Sequence, residues 1–167
     1  AACVVLPNDY NNDEINDSKK LTEKKREKLY DIIMKDAISV GVSIISAKEI
    51  DEINILEASR KGMIESYKEA NKKIKIDVLL TDAMKIDTLD IPVEKIIKGD
   101  AKSISIAAAS IIAKVTRDRL LYELDKKYPE YGFAKHKGYG TKAHIEAIGK
   151  YGLTEIHRPS FCTKFVK

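Results

Sequence analysis

Cysteine is almost absent from this chain. Cys3 and Cys162 are the only thiols in 167 residues, and their separation matches neither a metal knuckle nor a disulfide framework, so they read as reduced and incidental. No Cys/His cluster exists either, which excludes a zinc-type site and leaves any metal chemistry to oxygen donors. No apolar run is long enough to cross a bilayer, and nothing at the start has the layout of a secretory leader. The expected location is the cytoplasm, with no membrane partner. Repeats, low-complexity tracts and linkers are missing too, which leaves one mixed α/β domain over residues 1–167 as the expectation. An initiator Met is also lacking: Ala1-Ala2-Cys3-Val4-Val5-Leu6-Pro7 reads as the end of a buried strand.

What is present is the composition of a globular domain, 44% hydrophobic and 34% charged. Thirty Lys and Arg against 26 Asp and Glu leave a net charge of +4, a mild lean toward polyanionic partners. Hydrophobic periodicity predicts a helix over 22–37, with Thr22 as N-cap and Leu29, Ile32 and Ile33 facing inward. A strand follows over 40–45. Ser46 caps a short helix to Ile53, and a longer one over 54–72 puts Leu56, Met63, Ile64 and Tyr67 roughly in phase. Strands are expected over 76–81 and 93–97, then a long helix to about Lys127 that Pro129 stops, and a last helix over 141–150.

The chain is organised around Lys98-Gly99-Asp100-Ala101-Lys102-Ser103 and the helical run after it. Ile104, Ala108, Ile111, Val115 and Tyr122 share one face, and the small residues 107–110 let that helix lie close to a sheet. Asp118 lies on the same stripe, either paired at the helix edge or near a site. Asp82 and Asp100 each follow a strand, where ligands of open α/β sheets gather, so the two carboxylates can share divalent cations of the Mg²⁺ or Mn²⁺ type. Helix caps or turn residues would show the same spacing. Lys135-His136-Lys137-Gly138-Tyr139-Gly140-Thr141 alternates cations with rings around glycines. That suits a phosphate backbone with a sugar or base on Tyr139, or else a solvated surface loop. Asp17-Ser18-Lys19-Lys20 offers a hydroxyl and ammonium groups to phosphates, or is simply the polar lead into a helix. Of His136, His144 and His157, only His136 stands in suggestive company.

These segments resemble one family. Asn16-Asp17-Ser18-Lys19-Lys20-Leu21, Glu52-Ile53-Asn54-Ile55-Leu56, Leu80-Thr81-Asp82, Lys98 to Ser103, Ala107 to Arg119, Tyr131-Gly132-Phe133 with His136-Lys137-Gly138-Tyr139, and His157-Arg158 with Ser160-Phe161 are similar, in order, to type 2 ribonuclease H, the bacterial ribonuclease HII. The resemblance implies a ribonuclease H-like α/β fold with a mixed central sheet flanked by helices. It also implies a helical C-terminal extension, here about 128–167, that binds substrate. The implied activity is endonucleolytic cleavage of RNA in RNA–DNA hybrids and incision at single ribonucleotides embedded in duplex DNA, leaving 3′-hydroxyl and 5′-phosphate ends. Four carboxylates holding two Mg²⁺ or Mn²⁺ ions are implied, with Asp82 and Asp100 matching the third and fourth. Ser18 and Lys19 match residues that contact the nucleic-acid backbone, Tyr139 matches one that packs on the sugar, and Lys137 falls in the same substrate-binding motif. The parent enzyme is expected to be a monomer.

Departures from the pattern matter equally. The family's first strand, Asp-Glu-Ala-Gly-Arg-Gly, carries two ligands and the ribose-reading loop, and it is not in this sequence. Ala83 stands where bacterial relatives usually have Gly, and Pro159 where a second Arg is common. Three readings follow: an active ribonuclease HII given without that strand, a noncatalytic nucleic-acid-binding relative, or an unrelated α/β interaction domain. Without its middle strand the sheet is expected to fall into two halves with unpaired inner edges. A polypeptide starting at Ala1 is then expected to fold poorly as a monomer, or to fill the gap, and to lack two-metal hydrolysis.

Overall fold

Among the described residues, four short strands come in two pairs. In the computed structural model, which describes residues 1–166, β1 (Ala2–Val5) pairs antiparallel with β2 (Ser39–Val42), and β3 (Leu79–Asp82) pairs parallel with β4 (Val93–Ile96). The expected α/β class is observed, with the sheet present as two halves; among the described residues no strand joins β1 to β3. β3 is shorter than its apolar run because a side chain competes for its start: the Ile76 amide donates to Asn71 Oδ1 at 2.7 Å instead of to a strand.

The helices follow their caps. Thr22 Oγ1 accepts from the Lys25 amide at the start of α1 (Glu23–Asp36). α2 (Ala47–Asn71) is interrupted at Asn54, whose φ of 67° is left-handed. Ser46 Oγ caps its first segment at Glu49, and Asn54 Oδ1 caps the second through the Leu56 and Glu57 amides. Leu56 corrects the expected phase: it is 54% exposed in the first turn after the break, whereas Met63, Ile64 and Tyr67 pack inward. α3 (Gly99–Lys102) and α4 (Ile104–Lys127) follow, then a 3-10 turn at Pro129–Tyr131, α5 (Phe133–His136), α6 (Lys142–Tyr151) and α7 (Pro159–Cys162).

The chain forms two compact units, Ala1–Ile44 with Ser59–Val115, and Ile45–Ala58 with the chain from Thr116 on. In the first, Leu29 and Ile33 of α1 pack with Ala108, Ile111, Ile112 and Val115 of α4, the face its periodicity indicates. Tyr67 and Ala70 pack with Cys3, Ile76 and Leu79. Gly41 lets α2 lie against β2: a Cβ there would stand 2.0 Å from the Ser66 carbonyl oxygen and 2.6 Å from the Ala70 nitrogen. The second unit packs Leu121, Tyr131, Phe133, Ala147, Ile148 and Cys162 together. Both cysteines are free and buried, and burial pushes the Cys3 thiol up to about 11. Among the described residues no helix is long and apolar enough to cross a membrane.

Candidate active site

β3 ends at Asp82, and β4 leads into a left-handed turn at Lys98 (φ 56°, ψ 47°) that starts α3. Asp82 Oδ1 accepts the Gly99 amide at 2.9 Å, which ties the two strand ends together and sets Asp100 beside Asp82. Gly99 is needed for this approach, because a Cβ would meet Ile106 Cδ1 at 2.6 Å and Asp82 Cα at 3.4 Å. The Asp100 carboxyl is held above the usual carboxylate range. Burial contributes most, then the negative charges of Asp17 and Asp82, with Lys19 opposing and a hydrogen bond to the Asp17 side chain adding to the rise.

Asp17 arrives on the turn before α1. Its Oδ1 accepts the Lys19 amide at 2.9 Å and opens a 3-10 turn over Ser18–Lys20. Arg26 Nη1 donates to the carbonyls of Ser18 and Leu21 at 2.9 and 2.5 Å, clamping that turn onto α1. Ser18 is buried, with its Oγ 2.8 Å from Ser110 Oγ on α4, while Lys19 and Lys20 are exposed. Three carboxylates thus gather with oxygen donors suited to a hard cation. They do not close a cage: among the described residues no three His, Cys, Asp or Glu side chains converge as metal ligands.

The second unit holds the other candidate residues. Tyr139 is 61% exposed, with the Arg117 guanidinium 5.4 Å from its ring centre. Its backbone is fixed on both sides: its amide donates to the His136 carbonyl at 2.9 Å, and its carbonyl accepts from His144 Nδ1 at 2.9 Å. Lys137, itself left-handed at φ 50°, sets its ammonium 3.5 Å from the Tyr122 ring centre. His136 corrects the picture of an imidazole open on the loop, since it is buried. Its Nε2 donates to the Tyr131 carbonyl at 2.8 Å, its Nδ1 accepts the Gly138 amide at 3.2 Å, and its ring stacks on His144 at 4.2 Å. Residues 133–136 are helical, so the glycine-punctuated loop is only partly a loop.

Asp82 and Asp100 therefore stand together with Ser18 and Lys19 nearby in the first unit, and Lys137 and Tyr139 share a turn in the second. Sequence reasoning missed three participants. Asp17 lay inside a motif read for its hydroxyl and ammonium groups. Arg26 and Arg117 sat on helix faces where a charge normally means solvent, and only their spacing from the motifs could have marked them. Asp51 accepts both the Ser160 amide and hydroxyl, at 3.1 and 2.5 Å. Pro159 occupies the first position of α7, where a missing N–H costs nothing.

The α/β frame is of the ribonuclease H-like class. The crystal structure of ribonuclease H2 from Pyrococcus horikoshii OT3 superimposes with a TM-score of 0.72 at 30% identity, over 90% of this chain and 79% of that one. The family model for ribonuclease HII matches residues 1–164, and the chain belongs to that family. It is 58% identical over 166 residues to the ribonuclease HII of Acetivibrio thermocellus and 56% identical over 167 residues to that of Caldanaerobacter subterraneus. These alignments take in 99% and 100% of the chain but 64% and 68% of the relatives' own lengths.

Proposed function

We propose that the protein works as a type 2 ribonuclease H, an endonuclease that cleaves RNA in RNA–DNA hybrids and incises at single ribonucleotides in duplex DNA. The observation that carries this reading is the juxtaposition of Asp82 with Asp100, enforced by the Gly99 amide and leaving more negative charge than Lys19 offsets. In this reading Asp82 and Asp100 hold Mg²⁺ or Mn²⁺ together with carboxylates of the first strand that family members carry. The chemistry such ions supply when bound is activation of a water and stabilisation of the leaving oxygen, with 3′-hydroxyl and 5′-phosphate products.

The chain's own residues do the rest. Lys19 offers its ammonium to the backbone phosphates from a turn that Ser18 anchors through Ser110 and Arg26 through two carbonyls. Tyr139 presents an exposed ring to a sugar or base while Arg117 steadies it, and Lys137 adds charge from the same turn, within a substrate-binding extension of about 128–167. A monomer acting in the cytoplasm is the corresponding setting.

The test compares residues 1–167 with the same chain preceded by the family's Asp-Glu-Ala-Gly-Arg-Gly strand, on a duplex carrying one ribonucleotide. The strand-bearing protein is expected to incise with Mg²⁺, and residues 1–167 alone are not. Binding without cleavage by both would favour the noncatalytic nucleic-acid-binding relative.

A further inference from the structure

The turn that exposes the Tyr139 ring does not hold itself. Lys137 and Gly138 are both left-handed, at φ 50° and 76°, and Lys137 carries a Cβ that resists this conformation. Two buried imidazoles of the second unit hold the turn instead. His136 Nδ1 accepts the Gly138 amide at 3.2 Å, its carbonyl accepts the Tyr139 amide at 2.9 Å, and its Nε2 donates to the Tyr131 carbonyl at 2.8 Å. His144 Nδ1 donates to the Tyr139 carbonyl at 2.9 Å, which also takes the Thr141 amide at 2.8 Å. The two rings stack at 4.2 Å, and buried Phe133 meets them edge-on at 5.7 and 5.4 Å, which fixes their rotation. Behind them His144 Nε2 lies 3.1 Å from His157 Nε2, and His157 Nδ1 accepts the Thr154 amide at 2.9 Å. A chain of hydrogen bonds thus runs from Thr154 to the backbone of Tyr139, and every imidazole in it is buried.

We propose that His136 and His144 are positioning residues for substrate: they hold the Gly138–Tyr139 backbone so that the Tyr139 ring stands ready for a nucleic-acid sugar, with His157 orienting His144. This rests on the reading of Tyr139 as a substrate contact. A ring held in place before binding loses less freedom when it packs, so the clamp acts on the cost of binding rather than on the barrier to cleavage.

The test uses two amides that each replace half of an imidazole. The polar atoms of Asn stand two bonds from Cβ, as Nδ1 does, and those of Gln three, as Nε2 does. His136→Asn and His144→Asn therefore keep the side-chain bond to the turn and lose the one to Tyr131 or His157, while His136→Gln and His144→Gln do the reverse. In the strand-bearing protein, both Gln variants should raise Kd for a fluorescent duplex with one ribonucleotide about three- to tenfold in EDTA, and both Asn variants less than about twofold. With Mg²⁺, kcat should stay near the wild-type value in all four. Melting temperatures should fall in both types, since each loses one buried bond, and a merely structural role would make Kd follow that fall. In a Tyr139→Ala background the difference between Gln and Asn variants should vanish. Equal weakening by the Asn and Gln variants, a loss in kcat alone, or a difference that survives Tyr139→Ala would overturn the proposal while leaving Tyr139 as a substrate contact. Tyr139→Ala binding as tightly as the wild type is a distinct result, which would overturn the reading of Tyr139 and the proposal with it.

Discussion

In the first unit Asp17, Asp82 and Asp100 collect with more negative charge than Lys19 offsets, whereas in the second His136, His144 and His157 gather with every ring nitrogen partnered. The hydrogen bonds fix the protonation of all three rings. A carbonyl only accepts, so His144 Nδ1 donates to Tyr139 and its Nε2 accepts from His157 Nε2 at 3.1 Å; His157 Nδ1 then accepts the Thr154 amide at 2.9 Å. Each imidazole is neutral, and burial holds His144 and His157 below the usual histidine range. A buried titratable group whose partners complete it holds the fold together. One surrounded by like charge needs something from outside, and that difference separates a structural cluster from a candidate site.

The strongest way to break this contrast is to neutralise one carboxylate. In the strand-bearing protein Asp100→Asn should lower incision with Mg²⁺ roughly a hundredfold or more, since an amide is a poor ligand for a hard cation. The same change should leave the melting temperature equal or higher, because it removes repulsion from Asp17 and Asp82. Near-normal incision would remove Asp100 from the metal site, and a large loss of stability would place it with the groups that hold the fold together.

The histidine cluster should respond to pH in its own direction. His144 and His157 bind protons less readily folded than unfolded, so their stabilising contribution is complete above the unfolded value, about 6.5, and is lost as pH falls below it. Between pH 7.5 and 5 urea melts should show stability falling by up to about 1.4 kcal/mol per pH unit for each proton taken up. A flat profile would mean the rings are already charged or already open to solvent.

Much of the frame was legible because it is local. Caps at Thr22 and Ser46, the stop at Pro129 and the apolar face of α4 are each written within a few residues. Asp82 and Asp100 were legible as strand-end carboxylates for the same reason. What was not legible depends on long-range partners. Asp17 meets Asp100 across more than eighty residues of chain, and His136 turned inward because the Tyr131 carbonyl and the His144 ring accept it. Nothing in Lys-His-Lys tells a buried imidazole from an exposed one.

Tyr139 sharpens the comparison within the second unit, since its ring is exposed while the neighbouring aromatics are packed. Tyr139→Ala in the strand-bearing protein should reduce kcat/KM at a lone ribonucleotide by about 1–3 kcal/mol, the worth of one stacking contact. Its melting temperature should hardly move, because the backbone at 139 is fixed by His136 and His144 and the ring buries little. An unchanged kcat/KM would return this turn to plain surface.

The smallest effect tests the backbone next to the carboxylates. Ala83 has φ 55°, a left-handed conformation that costs an L-residue about 1–2 kcal/mol. It is held there because its amide donates to the Ile96 carbonyl at 3.0 Å, directly after Asp82. Glycine adopts this conformation without a Cβ penalty but loses about 0.5–1 kcal/mol through its greater freedom when unfolded. The difference predicts that Ala83→Gly stabilises the chain by up to about 1.5 kcal/mol in a denaturant melt, with no change in the slope of the transition. A loss of stability would show that the turn is not held in the left-handed region, and the hydrogen bond that fixes Asp82 against Gly99 would then need a different support.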